Sequence, residues 1–185
     1  MNLDRDHQLK TERCTLRHVR EDDLPHVFSA SRVAGFNDGM IWDPPANTDE
    51  LLKPFRDSCE AWASGKAYVF TIESHDQTFV GRISIRKTDS DGLWDIGFWT
   101  HPDQQRRGYM TEALRRVLRF GFDELSASEI EACHATWNEA SQKVLVRGGL
   151  TWREHLAEGF KKRGEWVAEE RLSITREEHL SRGGG

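Results

Sequence analysis

Asp103–Leu114 reads DQQRRGYMTEAL. Two arginines and a glycine stand immediately before a run with helical spacing. Leu114, Val117, Leu118, Gly121 and Phe122 share one face, and Arg115, Arg116 and Arg119 fall off it. The spacing predicts a helix from Gly108 or Tyr109 to Phe122. The first amides of a helix lack internal partners, and the helix dipole adds partial positive charge there. A phosphate can accept those amide hydrogens. Gly108 lets an anion approach the backbone, and Arg106 and Arg107 can add charge-assisted bonds. A plain polar loop ahead of an amphipathic helix accounts for the same residues, so the stretch alone leaves both readings open. A P-loop is excluded, because no Lys-Ser/Thr pair follows Gly108.

The segments on either side decide the fold. Leu93–Thr100 (LWDIGFWT) reads as a strand, His101–Arg107 as a loop and Ile130–Trp137 as a second strand, so the helix forms a parallel crossover. Upstream, alternation predicts a strand within Thr11–Val19 and a helix over Glu21–Arg32. Gly35–Asn47, rich in turn formers, is a loop. Thr48 is placed as the cap of a second helix with Asp49 and Glu50 in its first turn. Leu51, Leu52, Phe55, Cys59 and Trp62 form its apolar stripe. Ala67–Glu73 and Thr78–Arg86 are a hairpin across SHDQ. Glu139–Arg147 is a short helix, followed by strands over Leu150–Phe160 and Trp166–Thr175. The order β α α β β β α β α β β is a mixed α+β architecture with one dominant sheet.

The chain has 185 residues, enough for one domain, expected over 1–180 with a disordered tail at 181–185. No apolar run approaches the ~18 residues of a membrane helix, and the polar opening MNLDRDHQLKTER is no secretory signal. A cytoplasmic location follows as the expectation. Cys14, Cys59 and Cys133 form no CxxC pair, have no metal-ligand spacing, and read as reduced thiols. A net charge of −5 disfavours nucleic-acid binding, so any anion site must be local. The seven tryptophans are expected mostly in the core or in a cleft wall.

Gln105, Gly108 and the helix start, continued by Tyr109-x-Thr111-Glu112-Ala113, resemble the Q/R-x-x-G-x-G/A block of the GNAT family of acetyl-CoA-dependent N-acetyltransferases. The closest likeness is to its ribosomal-protein N-terminal (alanine/serine) acetyltransferase branch. Ile96-Gly97-Phe98-Trp99 looks like that branch's fourth strand. Asn138-Glu139-Ala140-Ser141, Lys143-Val144-Leu145 and Arg147-x-Gly149-Leu150 resemble its NxxS helix and following turn, and Thr175–His179 its ending. The likeness runs from Thr11 to His179. It departs at Arg106, where the family often has Gly, and at Met110, where it has Gly or Ala.

The resemblance implies a twisted, mostly antiparallel sheet of about seven strands, whose parallel fourth and fifth strands splay apart, flanked by about four helices. It implies acetyl-CoA as cofactor and CoA as product, with the pyrophosphate on the amides of Arg106, Arg107, Gly108, Tyr109, Met110 and Thr111, beside Gln105. Phe98, Trp99 and Thr100 would pair with the pantetheine as a strand edge pairs with a peptide, and an N–H there can stabilise an oxyanion. Asn138 would contact the pantetheine arm, Ser141 would protonate the leaving thiolate, and Lys143 would reach the adenosine phosphates. Asn138 equally suits a helix N-cap.

An attacking amine must be neutral, and an α-amine with a pKa near 8 needs less help than a lysine. Asp95 and Glu73 are candidate bases acting through water, with His101 a third. Trp42 and Asp43, in the loop MIWDPP (Met40–Pro45), are the candidate substrate-binding residues. Asp38, Asp49 and Glu50 add acidity suited to a cationic acceptor. A homodimer is implied by the branch, and no metal is expected. Two other readings stand beside the peptide α-amine: a small-molecule amine acetyltransferase acting on antibiotics or polyamines, and a non-catalytic acyl-CoA-binding module suggested by Arg106 and Met110.

Overall fold

The computed structural model describes residues 3–183. Eight strands form one sheet in the order β1-β2-β3-β4-β5-β6-β8-β7. The chain runs through β1 (Leu9–Lys10), β2 (Cys14–His18), α1 (Leu24–Ser31), α2 (Leu52–Ala63), β3 (Ala67–Ser74) and β4 (Phe79–Lys87). It continues through β5 (Leu93–Thr100), α3 (Tyr109–Asp123), β6 (Glu129–Ala135), α4 (Glu139–Gly148), β7 (Thr151–Lys162), β8 (Glu165–Thr175) and α5 (Arg176–Ser181). Every strand pair is antiparallel except β5/β6, joined in parallel by α3.

The mixed architecture and the parallel crossover are as expected, with two additions. The two-residue β1 pairs with β2, and α5 closes the chain with a capping box, Thr175 Oγ1 accepting from the Glu178 N–H and the Glu178 carboxylate from the Thr175 N–H. Ser181, expected in the tail, ends α5, while residues 184–185 of that tail lie outside the described residues. One local reading is corrected. Thr48 caps nothing with its side chain; Asn47 Oδ1 accepts from the Glu50 N–H at 3.2 Å instead. Of the tryptophans, Trp62 and Trp94 are buried and Trp42 and Trp99 half-buried, while Trp137 at 56%, Trp152 at 58% and Trp166 at 48% are exposed.

The sheet's two faces differ in chemistry. Leu16, Phe70, Ile72, Ile83, Ile85, Trp94, Ile96 and Ile130 bury against Met110, Leu114, Val117, Leu118 and Phe122 of α3 in the main core. Residues alternating with these point to the other face. There Leu24, Val27, Leu51 and Phe79 form a second cluster with Phe28, Trp42, Phe55 and Trp99.

Beneath this second cluster lies a buried ionic knot. Arg17 donates to Asp23 at 2.8 Å and to Glu73 at 3.2 Å, and Asp23 also accepts from Thr71 Oγ1 at 2.7 Å and the Arg20 N–H at 2.8 Å. Burial acts to raise the Asp23 pKa, but the donors around it outweigh burial and hold it below the ordinary carboxylate range. Asp23→Ala leaves Arg17 buried without its main partner. It should cost about 3–5 kcal/mol in urea unfolding at pH 7. Because the folded-state pKa is depressed, the wild-type advantage holds at neutral pH. It should shrink as pH falls below about 4 and through the folded value.

Candidate active site

The site begins where the parallel pair stops. β5 and β6 are in register only at Leu93↔Glu129, Trp94↔Ile130 and Asp95↔Glu131. Beyond Asp95, β5 still pairs with β4 as far as Thr100, and β6 still pairs with β8 as far as Ala135. The two inner edges therefore face each other without bonding and form a cleft lined by backbone N–H and C=O groups. Phe98, Trp99 and Thr100 stand on the β5 side of this opening, with Phe98 packed on the main core and Trp99 on the second cluster.

The same strand leads to the start of α3. Gln105 Nε2 donates to the Thr100 carbonyl at 3.4 Å, tying the loop to the strand end. Arg106 and Gly108 both have left-handed backbones, φ 64° and 83°. Gly108 is the N-cap and offers no side-chain acceptor to the first-turn amides. A Cβ at Gly108 would meet only Arg13 Nη2, at 3.4 Å, so the approach to these amides is open. Arg106 and Arg107 are exposed, and their guanidinium groups have no partner among the described residues. The Met110 side chain is 4% exposed and packs into the main core, and its N–H belongs to the first turn of the helix, where the amides lack internal partners.

The loop is braced from behind by a residue absent from the sequence reading. Arg13 Nη1 donates to the Arg107 carbonyl at 3.0 Å, Arg13 Nε donates to Glu112 at 2.8 Å, and the guanidinium lies 4.8 Å from the Tyr109 ring centroid. A basic cleft of about 600 Å³ runs from Gly108 along α3, lined by Lys10, Arg13, Thr111, Arg115, Arg119 and Arg147 among others.

On the far side of the opening, Asn138 caps α4, its Oδ1 accepting from the Ser141 N–H at 3.1 Å. Ser141 is half-buried, and its hydroxyl has no partner among the described residues. Lys143 is exposed and pairs with Glu139 at 3.0 Å, a contact that a phosphate would have to displace.

The acceptor loop folds over the second-cluster face. Lys162, at the tip of the β7/β8 hairpin, donates to the carbonyls of Met40 at 2.9 Å and Trp42 at 2.8 Å and pairs with Asp43 at 2.9 Å. Gly39 touches the α4 cap: a Cβ there would lie 3.2 Å from both Asn138 Nδ2 and Trp137 Cη2. Trp42 is half-buried and meets Phe36 edge-on at 6.2 Å. Asp43 is exposed, and the hydrogen bond from Lys162 holds its pKa down.

The three candidate bases stand apart from one another. Glu73 on β3 belongs to the Arg17 knot, and Asp95, at the vertex of the cleft, is paired with Arg86 at 2.5 Å. Both ring nitrogens of His101 are engaged, Nε2 with Ser29 Oγ at 3.1 Å and Nδ1 with the Asp103 N–H at 3.3 Å.

Residues 13–151 match the family described as acetyltransferase (GNAT) domain, and the chain belongs to that family. The chain is 27% identical over 103 residues to the "Uncharacterized N-acetyltransferase YnaD" of Bacillus subtilis, a match covering 56% of this chain and 61% of the relative. It is 30% identical over 94 residues to that organism's "Putative ribosomal N-acetyltransferase YdaF", covering 50% of this chain and 49% of the relative. These matches thus span between about half and three-fifths of the relatives' lengths. In fold, the chain superposes on RimL, the ribosomal L7/L12 alpha-N-protein acetyltransferase in complex with coenzyme A. The TM-score is 0.82 at 16% identity, covering 91% of this chain and 98% of that one.

Arg13→Ala should weaken acetyl-CoA binding about threefold to tenfold by calorimetry, because two charge-assisted contacts behind the phosphate loop are lost. Glu112→Gln, which keeps the shape of the Arg13 partner, should fall between this variant and the wild type.

Proposed function

We propose that the chain transfers the acetyl group of acetyl-CoA to a primary amine, and that the amine is the α-amine of a protein N-terminus. The free inner edge of β5 beyond Asp95, leading directly into the open amides of α3, carries this reading. The names of the relatives, N-acetyltransferase and ribosomal N-acetyltransferase, support it.

Bound acetyl-CoA supplies an activated thioester. The chain's own residues offer groups suited to each part of it. The amides of Gly108, Tyr109, Met110 and Thr111 hold phosphate oxygens, and Arg106 and Arg107 add charge. The basic cleft along α3 suits the phosphorylated nucleotide end. Phe98–Thr100 bind the pantetheine amides in the manner of a strand edge. The Asn138 carbonyl oxygen is spent on the α4 cap, leaving its NH₂ as a donor. The unpartnered hydroxyl of Ser141 serves as the acid for the departing sulfur.

The acceptor enters over the face closed by Met40–Pro45, where the exposed Asp38, Asp43, Asp49 and Glu50 favour an ammonium. An α-amine is partly neutral at physiological pH and a lysine is not, which favours the peptide N-terminus. The alternative of a non-catalytic module loses one of its two supports, because Met110 packs into the core instead of the cofactor path. We further propose the cytoplasm as the compartment, consistent with three free cysteines, and a homodimer, for which β7 leaves an outer sheet edge bearing the exposed Trp152.

A panel of dipeptides and small amines, followed by free-thiol release, tests the activity. Dipeptides should outpace free lysine side chains and polyamines. Ser141→Ala should lower kcat about 10²-fold with acetyl-CoA affinity unchanged. Gly108→Trp should abolish acetyl-CoA binding in calorimetry. A folded wild-type protein that gives no heat with acetyl-CoA overturns the proposal.

A further inference from the structure

The floor of the acceptor face holds a carboxylate that the cofactor machinery does not use. Asp95, Gly97 and Trp99 alternate along β5 toward that face, and the register sets Glu131 beside Asp95, Arg171 beside Cys133 and Glu169 beside Ala135. Ala135 ends the free edge of β6, just before Asn138 and Ser141, so Glu169 lies one strand away from the cleft. The charged groups around it are largely matched. Asp95 pairs with Arg86 at 2.5 Å, Arg171 pairs with Glu131 at 3.2 Å and with Glu154 at 2.8 Å, and Glu169 has no ion pair or hydrogen bond among the described residues.

The seat of Glu169 is specific. The β7/β8 register shifts between Leu156 and Phe160, and Gly159 in that bulge lies against the glutamate. A Cβ on Gly159 would sit 2.5 Å from Glu169 Cγ and 2.6 Å from Oε2, so bare backbone is what lets this carboxylate lie in place.

We propose that Glu169 is the base that takes a proton from the acceptor amine, an inference that rests on the acetyltransferase function proposed above. Burial, and then the charge of Asp95, raise the Glu169 pKa above that of an ordinary glutamate, the direction that favours proton uptake by this carboxylate. The neighbouring Cys133 thiol is pushed up to about 12 by burial and then by Glu169, Asp95 and Glu131, so it stays protonated and does not compete for the acetyl group.

The protons balance. Glu169 removes one proton from the arriving ammonium and later returns it to solvent. The freed lone pair forms the N–C bond to the acetyl carbon. As the C–S bond breaks, its electron pair stays on sulfur, which takes the Ser141 hydroxyl proton. The second proton lost by the nitrogen restores Ser141 through water.

The test uses the full chain, acetyl-CoA and the best amine of the panel. Glu169→Gln should lower kcat about 10²-fold or more, remove the acid limb of the pH profile and leave acetyl-CoA affinity within about twofold. Gly159→Ala keeps the charge but displaces the carboxyl, and should lower kcat about tenfold, with Glu169→Asp between Glu169→Gln and the wild type. In the free protein, NMR of ¹³C-labelled glutamate should show the Glu169 carboxyl titrating above the exposed glutamates, and Glu169→Gln should melt no lower than the wild type. Glu169→Gln turnover within about threefold of the wild type, or an unmoved acid limb, overturns the assignment and leaves the acetyltransferase function standing. Acetyl-CoA binding without turnover of any amine by the wild type overturns both.

Discussion

The molecule depends on one interrupted pairing. After three residue pairs, β5 and β6 stop bonding to each other while each keeps its outer neighbour. Unpaired backbone inside a sheet is costly unless water or a ligand satisfies it. The gap therefore has to be held open by packing on both sides. α3 does this from one face by burying Met110, Leu114, Val117 and Leu118 against β4, β5 and β6 residues in a single core. Because α3 is also the crossover that connects the two strands, the element that spreads them is the one whose first amides are left free, and these are the groups proposed to receive the cofactor. Cleft and anion site are consequences of the same short stretch.

Charge is distributed so that few groups remain free. Arg17, Arg86, Arg171 and Lys162 are each engaged by a carboxylate, and each fixes part of the acceptor side: the α1 turn, the cleft vertex, the β6/β8 floor and the covering loop. Apart from the buried Arg17–Asp23 pair, partly exposed pairs of this kind contribute little to stability individually. Their value here is positional: Glu73 and Asp95 are each held by an arginine, whereas the Ser141 hydroxyl and the Glu169 carboxylate have no ion pair or hydrogen bond among the described residues.

Local pattern made most of the fold legible. Helical spacing located α3, alternation located the central strands, and the resemblance carried by Gln105, Gly108, Asn138 and Ser141 located both sides of the cleft. Two local signals went unread: β1 is too short to show alternation, and Thr175-x-x-Glu178 is a capping box that announces α5. The other misses are of a different kind. Arg13 reaches a carbonyl 94 residues away, and Lys162 reaches one 122 residues away. Periodicity reports which face a residue occupies and says nothing about a partner across the fold. The same limit hid Glu169, whose neighbour Gly159 matters only through a bulge in β7 that no turn signal marks.

Arg106 shows how the cofactor loop balances conformation against charge. Its φ of 64° places a bulky residue in the left-handed region, where glycine is at ease and other residues lose roughly 1–2 kcal/mol. Gly108 repeats that conformation two residues later, so the chain turns sharply into α3 and its first amides face outward together. A glycine at 106 would make the same turn with less strain but would remove a guanidinium from the proposed phosphate site. Arg107 alone would then supply the side-chain charge at the loop, because Arg13 is committed to Glu112 and to the loop's own carbonyl. The strained arginine is thus consistent with selection for anion affinity over backbone ease. Met110, tucked into the core, keeps its side chain away from the open start of α3.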